Sequence, residues 1–223
     1  VARGEARGAA REGRVMGVKV KICGISNAAD ARAAEAAGAD FVGLIFEPSS
    51  PRAVTLAEAA KIAGCLSGRA KAVGVFVSQT PEFIARAAEE CGLSALQLHG
   101  GISSECAGLP DFSGREIWRA VWLESLSDVG AAESARCAAV VADSRTKSAS
   151  GGTGKLSDWG LAAVLARKKR LVLAGGISPE NAAAAARSVN PWALDANSMV
   201  EENPRRKNLK KIEALIEKVK NLK

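Results

Sequence analysis

Apolar residues fall along the chain in two alternating rhythms. Eight short runs rich in Val, Ile, Leu and Phe recur roughly every 20–30 residues: "VKVKICGI", "DFVGLIF", "KAVGVFV", "ALQLHG", "IWRAVWL", "AAVVAD", "RLVLAGG" and "WALDANS". Between them lie Ala-rich helix-forming stretches: "NAADARAAEAAGA", "TLAEAAKIAGCL", "TPEFIARAAEECG", "SLSDVGAAESARC", "SDWGLAAVLARKK" and "SPENAAAAARSV". Asn27, Thr80-Pro81-Glu82 and Ser178-Pro179-Glu180 read as helix openings, and Gly38 and Gly92 as closures. After "ALQLHG" the stretch "SSECAGLP" is too short to give a clear helix. Strands alternating with helices predict βαβ units and a parallel sheet.

Eight such units and a last helix predict a single-domain α/β fold, a (β/α)8 barrel over residues 17–223. The competing reading is an open doubly wound sheet, which less usually carries eight parallel strands at this length. In a barrel the alternation of the first run sends Val18, Val20 and Ile22 under the helices. Lys19, Lys21 and Cys23 then point to the axis, with Cys23 at the top. Lys19 lies deepest of the three and needs a carboxylate partner if buried.

The 223 residues, 48% of them hydrophobic, suffice for a sizeable core. No apolar run approaches the roughly 20 residues of a membrane span. Residues 1–16 lack the apolar centre of a signal peptide and are expected to be a disordered extension. The net charge of +7 invites a nucleic-acid reading. The charge is terminal, however: residues 205–223 hold eight Lys/Arg against two Glu, and residues 1–17 four Arg against two Glu. The body is close to neutral, and no aromatic platform or nucleic-acid motif accompanies the basic end. "NLKKIEALIEKVKNLK" instead places Leu209, Ile212, Leu215, Ile216, Val219 and Leu222 on one stripe, a docked helix with a solvated basic face. Neither nucleic acid nor membrane is expected as a partner. The state is a monomer or a homodimer; the sequence does not choose.

Five cysteines at 23, 65, 91, 106 and 137 show no C-x-x-C spacing, and His99 is the single histidine. A metal site is therefore not expected. The odd cysteine count and the missing secretion signal fit a reducing cytoplasm.

In a (β/α)8 barrel the chemistry sits at the C-terminal ends of the strands. Those ends offer Cys23, His99, Arg119, Asp143, Asp195 and Asn197, and the loop after the second strand delivers Arg52. A thiol, an imidazole, carboxylates and cations at one mouth describe a proton-transfer site. Glycine segments follow three strands: "SGGTGK" with Gly152 and Gly154, "AGGIS" with Gly175 and Gly176, and the neighbouring "NSM" with Asn197 and Ser198. Backbone N–H groups in such segments cradle phosphate, and loops after strands seven and eight do so recurrently in this fold.

Together "KICGI", "GLIFEPSSPRAV", "VGVFV", "LQLHG", "GGTGK" with its following "DW", "LAGGISPENA" and "DANSMVE" resemble the phosphoribosylanthranilate isomerases of tryptophan biosynthesis. The match runs in order from about Val18 to Lys220. The resemblance implies an Amadori rearrangement of N-(5-phosphoribosyl)anthranilate without metal or organic cofactor. It assigns the general base to Cys23, the general acid to Asp143, the contact with the anthranilate carboxylate to Arg52, and the phosphate to the glycine loops. His99, Arg119 and Asp195 are read as further substrate contacts or orienting groups.

Physical chemistry sets conditions on these roles. A thiol becomes a base only where its thiolate is favoured, and Lys21 on the same face supplies positive charge for that. Asp143 must hold its proton part of the time, through desolvation and carboxylate neighbours such as Asp195. Each residue also has a plainer reading. Cys23 suits a small buried hydrophobe; Asp143 suits a turn cap with Ser144; Arg52 suits a surface ion pair; His99 suits a rim hydrogen bond. The tryptophans at 118, 122, 159 and 192 suit packing, and the other cysteines suit the core.

The pattern also departs from the family. Met199 stands where Gly is usual, which threatens to crowd the phosphate or force a different φ. Arg205 and Asn208 replace Gly and Asp in "PRRKN", and "GIS" replaces an acidic pair after "LQLHG". A sugar-phosphate epimerase or indole-forming lyase on a similar barrel needs two aspartates or a lysine–glutamate pair, which Cys23 with Asp143 does not supply. A barrel that binds without turnover is the remaining alternative.

Overall fold

The computed structural model describes residues 17–100, 114–143 and 159–222. Eight strands run β1 (Lys19–Ile22), β2 (Phe41–Ile45), β3 (Lys71–Phe76), β4 (Ala95–Leu98), β5 (Glu116–Trp122), β6 (Ala139–Asp143), β7 (Leu171–Ala174) and β8 (Ala193–Ala196). They pair in parallel and in sequence order, and β1 closes on β8, so the barrel is complete and the open sheet is excluded. Seven helices are described: α1 (Ala28–Ala37), α2 (Leu56–Gly64), α3 (Pro81–Glu90), α4 (Leu126–Ser134), α5 (Trp159–Ala166), α6 (Ala182–Val189) and α7 (Leu209–Lys220). The stretch after β4, together with Gly152, Gly154 and Cys106, lies outside the described residues.

Local chemistry sets the helix ends. Asn27 accepts the Asp30 amide at 2.8 Å to open α1, and Gly38 closes it in the left-handed region. Thr55 and Glu58 form a capping box at α2, and Thr80 with Pro81 opens α3. One opening falls later than the sequence suggests. Ser178-Pro179-Glu180 is a lead-in turn, and α6 begins at Ala182. Ser178 N donates there to Asn181 Oδ1 at 2.9 Å, while its carbonyl accepts from Asn181 and Ala182.

Side-chain alternation divides the core in two. Val18, Val20 and Ile22 pack into the large cluster beneath the helices. Phe41, Val73, Ala95, Trp118, Ala139, Val141, Val172 and Ala193 fill the barrel axis. The lower end is closed by rings: Trp118 meets Phe41 edge-on at 5.0 Å and Trp192 at 5.5 Å. Lys19 is only half-buried, so the condition for a carboxylate partner does not arise. Its ammonium meets the Phe41 and Trp192 faces at 5.5 and 5.4 Å, a cation–π contact at the lower end.

On α7, Ile212, Leu215, Ile216 and Val219 are buried as the stripe predicts, whereas Leu209 at its first position is 44% exposed. Just before α7 lies an unpredicted hairpin, β9 (Glu201–Asn203) with β10 (Arg206–Lys207). It follows a single 3-10 turn, Ser198–Val200, at the mouth of the barrel.

Candidate active site

The site is built from one register. Parallel pairing sets Lys21 beside Asp195 across β1 and β8, and Trp122 beside Asp143 across β5 and β6. Because side chains alternate, the strand-end residues of one parity all face the axis. There they meet a cavity of about 270 Å³ at the C-terminal mouth. Cys23, Arg52, His99, Asp143 and Asp195 line it, and so do Gly175, Gly176, Asn197 and Ser198. Every described candidate is therefore at one mouth except Arg119.

Arg119 requires a correction. The strand β5 continues three residues beyond it, to Trp122. Arg119 shares parity with Ile117 and Val121, which pack against the helix-side cluster. It therefore points outward from mid-strand, and it does not line the cavity. The axis-facing residue that ends β5 is Trp122, 41% exposed.

Beneath the mouth, Lys21 is fully buried, and its Nζ donates to Asp195 Oδ2 at 2.7 Å. Burial works against the Lys21 ammonium, but Asp195 and Cys23 outweigh it and its pKa rises. A buried cation survives in this way only when closely paired. Burial also pushes the Cys23 thiol up; Lys21 pulls it down and Asp195 adds to the rise. Lys21 therefore favours the thiolate as expected, but the net direction is upward because burial outweighs it. Desolvation outweighs one nearby cation whose charge is already engaged by a carboxylate.

His99 lies beside Gln97, with Gln97 Nε2 3.0 Å from His99 Nε2. Burial and the charge on Lys21 lower the imidazole pKa, while Asp143 opposes them. The ring is thus neutral near pH 7, an acceptor or donor rather than a cation.

The phosphate side has its own geometry. Gly175 and Gly176 adopt φ of 86° and 70°, successive left-handed residues that only glycine takes without strain. Asn197 and Ser198 face them from the end of β8. Met199 is 44% exposed and adopts no left-handed φ, so it forces no backbone change; its side chain adds to the cavity wall.

Three charged residues were missed in the sequence. Glu201 accepts from Arg52 Nε at 2.8 Å and Nη2 at 2.7 Å, so Arg52 is both paired and at the cavity. Lys207 Nζ donates to Glu201 Oε1 at 2.6 Å and to Asn197 Oδ1 at 3.0 Å. Burial opposes charge on Glu201, but the bonds from Arg52 and Lys207 hold its pKa below the usual range. Glu47 also lines the cavity, and the Ser78 and Ser49 donors hold its carboxyl at about 2. The signal for Glu201 and Lys207 lay in the charged hairpin after β8, which strand and helix periodicity does not mark.

This arrangement can hold a phosphate at one wall and an acidic group near Arg52, with a thiol and a carboxyl between them. Comparison with known proteins identifies the family. The family model for N-(5'-phosphoribosyl)anthranilate (PRA) isomerase matches residues 20–218. The N-(5'-phosphoribosyl)anthranilate isomerase of Pelobacter propionicus is 40% identical over 200 residues, covering 89% of this chain and 94% of that protein. The crystal structure of phosphoribosyl anthranilate isomerase from Thermotoga maritima superposes with a TM-score of 0.82 at 36% identity, over 92% of this chain and all of that one. Another such isomerase, 33% identical with a TM-score of 0.78 over the same shares, was solved with reduced 1-(o-carboxyphenylamino)-1-deoxyribulose 5-phosphate bound. The chain belongs to the N-(5'-phosphoribosyl)anthranilate isomerase family.

Proposed function

We propose that this chain catalyses the Amadori rearrangement of N-(5-phosphoribosyl)anthranilate to 1-(2-carboxyphenylamino)-1-deoxyribulose 5-phosphate in tryptophan biosynthesis. Cys23 is the general base and Asp143 the general acid. The observation that carries the reading is their convergence: separated by 120 positions in sequence, both line one cavity of about 270 Å³.

Asp143 gives its proton to the ribose ring oxygen. The bond from that oxygen to the anomeric carbon breaks, and the nitrogen lone pair closes an iminium. The Cys23 thiolate then removes the proton from the adjacent carbon, and its bonding pair neutralises the iminium to leave an enolamine. Loss of the hydroxyl proton and protonation of the former anomeric carbon give the ketone. Atoms balance, and the step is an internal redox exchange between two neighbouring carbons. Phosphate at Gly175, Gly176, Asn197 and Ser198, and the carboxylate at Arg52, hold the sugar between the two groups. Such fixed geometry is a large part of what a site offers a single-substrate reaction.

His99 and Asp195 are positioning groups in this reading. Asp195 engages Lys21, and Lys21 in turn lowers the pKa of the Cys23 thiol. The test follows the loss of the substrate's anthranilate fluorescence on addition of protein. Wild type should extinguish it. Cys23→Ser and Asp143→Asn should each reduce the rate by at least about 100-fold, the usual worth of a placed acid or base. Full activity in both variants would remove the assignment.

A further inference from the structure

We propose that Glu201 and Lys207 are positioning residues that fix Arg52 for the substrate carboxylate and tie it to Asn197 on the phosphate side. The inference rests on the carboxylate-binding role of Arg52 in the function proposed above.

The geometry is that of a strap. Glu201 receives Arg52 through Nε and Nη2 at 2.8 and 2.7 Å, a two-point contact that sets the guanidinium plane as well as its place. Lys207 Nζ donates to Glu201 Oε1, Asn197 Oδ1 and Asn197 O at 2.6, 3.0 and 3.2 Å, which uses all three of its N–H groups. Glu201 and Lys207 are 7% and 5% exposed, so these bonds work in poorly solvated surroundings, where loss of one charge is felt by the others. One carboxylate thus stands between two cations, and one of these cations reaches the residue at the end of β8.

The strap is anchored next to the base. Lys207 N donates to Asp30 Oδ2 at 2.8 Å, and Ser26 Oγ donates to the Arg205 carbonyl at 2.9 Å, so the β9–β10 hairpin is fastened to the segment that follows Cys23. A Cβ at Gly24 would fall 2.6 Å from Arg52 Cδ and 2.6 Å from Asn197 Oδ1, so both side chains converge on the residue after Cys23. A long arginine held in one pose loses less freedom on meeting a carboxylate. Glu201 supplies that pose, and Lys207 keeps Glu201 and Asn197 in step.

The test compares two stable ligands by calorimetric titration: the reduced aminoketose product and its counterpart lacking the benzoate carboxylate. Wild type should prefer the carboxylated ligand by roughly tenfold or more, the worth of a charge-assisted contact. Glu201→Gln should erase most of that preference and weaken the decarboxylated ligand much less than the carboxylated one. Lys207→Met should erase the preference and also weaken the decarboxylated ligand, because Asn197 is released. Glu201→Asp, with its charge kept and its reach shortened, should fall between wild type and Glu201→Gln, and serves if the amide variant does not fold. If Glu201→Gln and Glu201→Asp keep the full preference, or if Glu201→Gln weakens both ligands equally, Glu201 is not a positioning residue. If wild type itself shows no preference, Arg52 does not read the carboxylate, and the role assigned to it above falls with this one.

Discussion

The Cys23 sulfur rests against Gly43. A Cβ at Gly43 would lie 2.7 Å from Cys23 Sγ, 3.1 Å from Cys23 Cα and 3.2 Å from Lys21 Cε. The backbone of β2 therefore leaves the room in which the thiol and the buried lysine pass each other. A glycine in the middle of a strand usually weakens it, and here the close approach explains its presence.

Gly43→Ala should therefore displace Cys23, since two of the three contacts are to that residue and one is to its backbone. We expect catalysis to fall by at least about tenfold, because small misplacements at a reacting group are costly. Overpacking should cost about 1–3 kcal/mol of stability. Steady-state kinetics beside urea denaturation checks this; an active, unperturbed Gly43→Ala protein would show that the sulfur has slack.

The pH dependence follows from the raised thiol. A base must lose its proton to act, and Cys23 holds its proton above the ordinary thiol range. The rate at which iodoacetamide inactivates the protein through Cys23, which reports the thiolate alone, should rise with pH through neutrality and level off only above about 8.5, the unperturbed thiol value. Lys21 pulls that value down, so Lys21→Met should move the rise further to the alkaline side. An inactivation rate that levels off in the acid range would contradict the raised thiol.

Lys21 and Asp195 form a buried pair, 0% and 6% exposed at their side chains. Removing one partner leaves a buried charge uncompensated, at a typical cost of about 3–5 kcal/mol. Lys21→Met alone should therefore be strongly destabilised, and Lys21→Met with Asp195→Leu should recover most of the loss without recovering activity. Equilibrium unfolding of the single and double variants measures the coupling. Additive losses would show that the pair is not the unit described.

Arg205 carries φ of 75°, a backbone conformation that favours glycine. Its side chain compensates: Nη1 donates to the Ala53 carbonyl at 2.7 Å, and Nη2 lies 3.4 Å from Glu58. Arg205→Ala keeps the strain and loses the contacts, and should cost about 1 kcal/mol. Arg205→Gly loses the contacts but also the strain, and should stay near wild type. Glycine should therefore be the more stable replacement, opposite to the usual order; unfolding midpoints decide it.

The barrel was legible because its periodicity is written into every strand. The same alternation that buries Val20 and Ile22 under helices delivers Lys21 and Cys23 to the axis. Asp143 and Asp195 were found as residues at strand ends, where the parity of their strands also turns them to the axis. Arg119 was misread because a strand end is the least certain part of such a reading: β5 runs on to Trp122, and only the register with β6 reveals which face each residue takes. The thiolate expectation counted the charge on Lys21 but not the depth of burial, which depends on closure of the whole ring. Glu201 and Lys207 stayed hidden for another reason. Their meaning lies in contacts across 149 positions to Arg52 and across ten to Asn197, which no local pattern announces. The replacement of Gly by Arg205 and of Asp by Asn208 becomes intelligible only with coordinates: one position needs positive φ, and the other caps α7 by accepting from Lys211 N at 3.0 Å.

The most direct measurement is a crystal structure with the reduced aminoketose phosphate bound. The phosphate should lie between Gly175–Gly176 and Asn197–Ser198, with Cys23 Sγ on one flank of the sugar chain and the Asp143 carboxyl on the other. A ligand that touches only one of these two side chains, or an anion seated away from those loops, would contradict this placement.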